Sequence, residues 1–170
     1  MAVLIADTSA LVSLGIVADA DPDPLSLCLD AYDVIVPKTV IDELEEVASY
    51  DDDHGRAAAA VHDRTAGIAV RSVSLDADFP LDDGENAAVT LANETEAALF
   101  CCDEFTQLGL IHPSLADTRL VTTPTLLSAF VRADRLATDD ALALLDEVIA
   151  ARSWDANSYV QRARSLLDDA

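Results

Sequence analysis

Lysine is almost absent from this chain: Lys38 is the only one among 10 Lys and Arg, set against 32 Asp and Glu, for a formal net charge of -22. Taken alone, that balance argues against a nucleic-acid partner, because phosphate binding rests on Lys and Arg neutralising the backbone. The acids are spread along the whole chain, however, and where they cluster, as at Asp51-Asp52-Asp53, they fall between periodic segments. Such a pattern reads as a solvated surface adapted to concentrated salt, where screening shortens the reach of each charge. On that reading the charge reports on the solvent and says little about the substrate.

Cysteine is also scarce. Cys28, Cys101 and Cys102 are an odd number in apolar settings without zinc-ligand spacing, which excludes a disulfide framework and reads as reduced core thiols in a cytoplasmic protein. His54, His62 and His112 are likewise too far apart to form a ligand pair. No apolar run approaches membrane-spanning length, and Met1 to Ala6 lack the basic start and long apolar core of a signal peptide, so no membrane partner is expected.

What is present is an alternation of short apolar runs and helical periodicity. Val3-Leu4-Ile5-Ala6, Asp33-Val34-Ile35-Val36-Pro37, Ile68 to Val73, Ala97 to Cys102 and, more weakly, Arg119-Leu120-Val121 read as strands. Between them, Ser9 to Leu14 predicts a short helix stopped at Gly15. Thr39 reads as the cap of a helix carrying Val40, Ile41, Leu44, Val47 and Ala48. An alanine-rich helix is predicted over His54 to Ala66, and Asp82-Asp83-Gly84-Glu85 opens one running to about Glu94. Thr125 to Asp168 reads as three helices broken near Thr138 and Trp154, with Asp139 and Asp155 as caps. Strands alternating with helices predict an α/β fold: a three-layer α/β/α sandwich on a mostly parallel sheet of four or five strands, with a C-terminal helical extension.

Two acids end apolar strands, Asp7 on the first and Asp103 on the fourth. Carboxylates gathered at one rim of a sheet raise each other's pKa unless a cation intervenes. Glu43 lies at the edge of its helix's apolar stripe, with Asp42 and Glu46 on the solvated side. Glu85 shares the face of Ala88 and Ala92, toward the sheet. Each acid taken singly also reads as a helix cap or a surface charge; the set is what points to a site.

Strand-Asp7-Thr8-Ser9, Val36-Pro37 followed by Val40-Ile41-Asp42-Glu43-Leu44, Leu81-Asp82-Asp83-Gly84-Glu85 before an Ala-rich helix, and strand-Asp103-Glu104 together resemble the PIN-domain ribonucleases. The resemblance covers about Val3 to Val121, and the tail, Leu120 to Leu167, is similar to the helical extension of an archaeal branch related to VapC-type toxins. It implies a PIN-like catalytic domain over 1–124 with an extension over 125–170 packed on it. It further implies that Asp7, Glu43, Glu85 and Asp103 are catalytic and bind Mg²⁺ or Mn²⁺, supported by Thr8, Ser9 and Glu104. An all-oxygen set suits those hard ions rather than zinc.

The implied activity is metal-dependent endonucleolytic hydrolysis of RNA, by a toxin of a toxin-antitoxin pair or an RNA-processing enzyme. RNA is then the substrate, an antitoxin protein a candidate partner, and a homodimer the expectation by analogy. The alternative is a PIN-like binding or scaffold module without catalysis. Relatives usually carry one or two basic residues just after the acids of the fourth strand, whereas here none occurs between Glu104 and Arg119. Arg132, Arg135, Arg152, Arg162 and Arg164 cluster in the tail, and read as partners of neighbouring acids or as an RNA-facing patch.

Overall fold

Parallel strands covered on both faces explain why the apolar runs are continuous rather than alternating. In the structure, a computed structural model that describes residues 1–169, these runs become β1 (Val3–Ala6), β2 (Asp33–Pro37), β3 (Ala69–Arg71), β4 (Leu99–Cys101) and β5 (Arg119–Val121). They form one five-stranded, all-parallel sheet in the order β3-β2-β1-β4-β5. The α/β architecture expected from the sequence is therefore present, with the fifth strand in place.

Successive residues of β1, β2, β4 and β5 enter different cores, whereas the edge strand β3 is exposed. Leu4, Ala6, Val34, Val36 and Cys101 point into the larger one. Ile5, Ile35, Phe100 and Cys102 point into the smaller one on the opposite face. The larger core is closed by α1 (Thr8–Ile16), α2 (Pro24–Ala31), α3 (Lys38–Ala48), α4 (Asp53–His62), α7 (Thr123–Arg132), α8 (Thr138–Arg152) and α9 (Ser158–Asp168). Leu127, Leu145 and Val160 of the C-terminal helices thus share one apolar cluster with Leu4 and Leu11. The smaller core is closed by α5 (Asp83–Glu94) and α6 (Leu108–Ser114), through Leu91 and Ile111.

From β1 the chain steps outward to β2 and β3, then returns to the other side of β1 to lay down β4 and β5. The order reverses between β1 and β4, and in open α/β sheets the crevice beyond the carboxyl ends of the strands at such a reversal is where ligands bind. Asp7 and Asp103 sit at that point.

Several local expectations are corrected. α1 does not stop at Gly15 but runs through it to Ile16, because α4 crosses so closely that a Cβ there would lie 2.8 Å from the Ala57 carbonyl carbon. Thr39 does not cap α3, which starts at Lys38 directly after Pro37 with no side-chain cap. The alanine-rich helix ends at His62, and Thr65–Gly67 forms a separate 3-10 turn. α8 is entered from Ala137 without a side-chain cap, and α9 is capped by Asn157, whose Oδ1 accepts from the Val160 N–H at 3.2 Å. Neither Asp139 nor Asp155 caps. α6 was not expected at all, since it contains Gly109 and Pro113, the weakest helix formers.

Candidate active site

Asp7 ends β1 and caps α1 at once. Its backbone N–H donates to the Cys101 carbonyl at 3.1 Å, extending the contact between β1 and β4. Its Oδ1 accepts from the Ala10 N–H at 3.1 Å and from the Ser9 hydroxyl at 2.7 Å, and its Oδ2 from the Cys102 thiol at 3.1 Å. Helix cap and cavity carboxylate are therefore the same group. Burial pushes its pKa up to about 6, against the pull of the Ser9, Cys102 and Ala10 hydrogen bonds.

Glu43 reaches the cavity from the middle of α3, beside fully buried Val40 and Leu44. Across from it, Asp82 caps α5 by accepting the Glu85 N–H at 2.8 Å, so the first turn of α5 presents Gly84 to Glu43 and carries Glu85 into the crevice. Burial pushes the Glu43 pKa to about 7, with the charges of Asp82, Asp7 and Glu46 adding to the rise. Glu85 is likewise pushed to about 7 by burial and by Asp82, Asp7 and Glu104. The Thr8 hydroxyl moderates the rise at Glu43 without reaching hydrogen-bond geometry; Thr8 Oγ1 and Glu43 Oε1 are both buried and unpaired among the described residues.

These side chains line one cavity of about 360 Å³: Asp7, Thr8, Ser9, Glu43, Glu85 and Glu104, with Asp82, Gly84 and Gln107 completing its wall. Asp103 is placed differently. Its Oδ1 accepts from the Thr123 N–H at 2.7 Å and its Oδ2 from the Thr123 hydroxyl at 2.6 Å. Both oxygens are thereby turned to the start of α7. Burial raises its pKa, while the Thr123 hydrogen bonds and the Arg152 charge oppose the rise. The structure therefore brings Asp7, Glu43, Glu85 and Glu104 together, along with Thr8 and Ser9, and sets Asp103 behind them.

Sequence reasoning does not single out the wall residues Asp82 and Gln107, the first of which reads only as part of the stretch that opens α5. It also missed how close the tail comes: His54 of α4 and Arg152 of α8 line a smaller cavity of about 210 Å³ together with Thr8, Ser9, Glu43 and Glu104. Nothing in the spacing signals Arg152, which stands far downstream of the acids it approaches. Of the tail arginines, Arg164 is paired as expected, with Asp146 of α8 at 2.9 Å and with Asp168 at 3.0 Å.

A hard divalent cation fits this donor set. Every polar group lining the cavity that could ligate a cation is an oxygen donor, Glu43 Oε1 is buried with no hydrogen-bond partner among the described residues, and three carboxylates with raised pKa values share one field. Among the described residues no three acidic, histidine or cysteine side chains converge tightly enough to cage an ion by themselves.

No curated protein matches the chain. The PIN-domain family DUF3368 matches residues 3–169, from the first strand through the last helix. Since that match spans both the sheet carrying the acids and the helical tail, the chain belongs to the PIN-domain family, whose fold is generally that of nucleases using divalent metals.

Proposed function

We propose that this protein is a metal-dependent endoribonuclease that hydrolyses RNA phosphodiester bonds with Mg²⁺ or Mn²⁺. The observation that carries the reading is the cavity at the β1/β4 reversal, where Asp7, Glu43, Glu85 and Glu104 meet and Glu43 Oε1 is buried without a partner among the described residues. Asp7, Glu43 and Glu85 would hold the cation, with Glu104 in the place at the rim that the sequence alone suggests for Asp103. A divalent ion supplies neutralisation of the phosphate charge and a water of lowered pKa, so no protein nucleophile is needed. Ser9 fixes the arrangement, donating to Asp7 Oδ1 while its oxygen accepts the Asp103 N–H at 2.9 Å. Asp103 acts as a positioning residue that ties β4 to α7.

A toxin of a toxin-antitoxin pair, or an RNA-processing enzyme related to VapC-type toxins, is the cellular role consistent with this chemistry, in the cytoplasm of a salt-accumulating archaeon. The single lysine and the net charge of -22 support the salt adaptation. Among the described residues no helix is long and apolar enough to cross a membrane. The test is cleavage of structured RNA with Mn²⁺ at molar KCl by wild type and by Asp7→Asn. Cleavage by wild type alone supports the assignment, and equal cleavage by both overturns it.

The saturation of Asp7 by Ser9, Ala10 and Cys102 favours a second reading, a PIN-like binding module without catalysis. Calorimetric titration with Mn²⁺ separates the two: heat of binding that disappears in Glu43→Gln supports the nuclease, and no binding by wild type supports the module.

A further inference from the structure

We propose that Arg152, brought to the acidic crevice by the end of α8, binds the RNA phosphate next to the one held over the carboxylates, an assignment that rests on the ribonuclease reading. From Glu104 to Thr118 the chain offers no Lys or Arg, so the cation beside the cavity comes from elsewhere. Arg152 lines the smaller cavity that shares Thr8, Ser9, Glu43 and Glu104 with the acidic one. On its other side it lines a further cavity of about 470 Å³ with His54, Asp103, Thr106 and Asn157. Glu104 borders all three of these spaces, and Thr8, Ser9 and Glu43 border two of them, so Arg152 and the carboxylates face adjoining cavities across shared wall residues.

The guanidinium is held ready. It lies 5.6 Å from the centroid of the Trp154 ring, and Trp154 is itself gripped edge-on by Phe105 at 4.9 Å. Stacking on an aromatic face orients the flat guanidinium and leaves its N–H fork open for the two oxygens of a phosphate. The His54 ring anchors the end of the helix through Nε2, 3.2 Å from the Ala151 carbonyl. Although acids outnumber bases 32 to 10, Arg152 makes no ion pair among the described residues, unlike Arg56, Arg64 and Arg164. An unpaired, stacked arginine beside a carboxylate cavity is suited to a polyanion that the carboxylates alone would repel. Thr106 and Asn157 add neutral donors and acceptors for the sugar.

Trp154 is the only tryptophan in the chain and reports on this contact directly. We would titrate wild type, Arg152→Gln and Arg152→Lys with a short single-stranded oligouridylate in Ca²⁺, following Trp154 emission, and measure Mn²⁺ binding and Mn²⁺-dependent cleavage separately. The expected result is a saturable Trp154 response in wild type, about tenfold weaker binding in Arg152→Gln and partial recovery in Arg152→Lys. The slope of log affinity against log salt should fall by about 0.7 in Arg152→Gln, the share of one single-strand phosphate. In cleavage, KM should rise with kcat and Mn²⁺ affinity unchanged. No Trp154 response in wild type, or equal affinity and KM in Arg152→Gln, overturns the proposal. A lowered melting temperature with unchanged KM would also overturn it, by assigning Arg152 to offsetting buried Asp103. A Trp154 response and an Arg152 dependence without any cleavage leave the subsite standing and remove the nuclease reading instead.

Discussion

Gly84 and Glu43 are built against each other: a Cβ on Gly84 would overlap Glu43 Oε1 and lie 2.7 Å from its Cδ. The absent side chain lets the first turn of α5 close over the carboxylate of α3. Gly84→Ala should therefore displace Glu43 rather than break the fold, because the clash falls on the end of a flexible side chain and alanine is the better helix former by about 1 kcal/mol. The expected outcome is a melting temperature within a few degrees of wild type with Mn²⁺-dependent cleavage reduced at least about tenfold. Undiminished cleavage would remove Glu43 from the site.

Asp103 and Glu104 are neighbours in sequence with opposite predicted phenotypes. Thr123 saturates both oxygens of buried Asp103, so Asp103→Asn sets an amide donor against the Thr123 donors. Thr123→Val leaves Oδ2 unpaired. Each should cost about 2 kcal/mol of stability. Glu104 is exposed on the cavity rim, so Glu104→Gln should change stability by less than about 0.5 kcal/mol while lowering cleavage. Chemical denaturation beside an activity assay checks the pair, and a Glu104→Gln protein that is destabilised but fully active would reverse the roles.

This contrast marks where the sequence was legible. The parallel sheet could be read because strands buried on both faces leave continuous apolar runs, and Asp7, Glu43 and Glu85 because each breaks such a run or stripe with a charge. Whether Asp103 or Glu104 faces the cavity could not be read, since a residue past a strand end is no longer held to the alternation of the pleat; what turns Asp103 away is Thr123, a hydrogen-bond partner from another element. Gly15 was misread as a stop because its purpose is the approach of α4, a contact between segments distant in sequence. Arg152 reads in the sequence only as one of five tail arginines; that it is the one reaching the acids is again a contact between distant segments.

Cys28, Cys101 and Cys102 are each at most 1% exposed. Burial pushes the Cys28 thiol up to about 12 and raises the Cys101 and Cys102 thiols as well, with Asp7 and Asp103 adding to the rise. A thiol so far from its thiolate is a poor nucleophile. The folded protein should resist iodoacetamide at pH 8 and become fully alkylated in denaturant, as mass spectrometry would show. Rapid native labelling of Cys102 would mean that the β1/β4 crevice opens far more than this packing allows.

The carboxylates also set how stability depends on pH. Asp7 rises from 3.8 to about 6, and Glu43 and Glu85 from 4.5 to about 7, burial being the main cause of each. Folded-state values above the unfolded ones mean that between about pH 4 and pH 7 the folded protein holds more protons than the unfolded chain. Their contribution is complete below that window and lost as pH rises through it. Without divalent cations, Glu85→Gln should therefore be more stable than wild type at pH 8, by on the order of 1 kcal/mol after allowance for solvent screening, and the difference should vanish near pH 4. Mn²⁺ should raise the wild-type melting temperature at pH 8 and not at pH 5, because protons compete for the same oxygens. In Glu85→Gln the Mn²⁺ shift should shrink. A variant that gains stability as it loses the metal effect marks a charge kept for function, whereas a Glu85→Gln protein less stable than wild type at pH 8 would show that the carboxylate belongs to the fold.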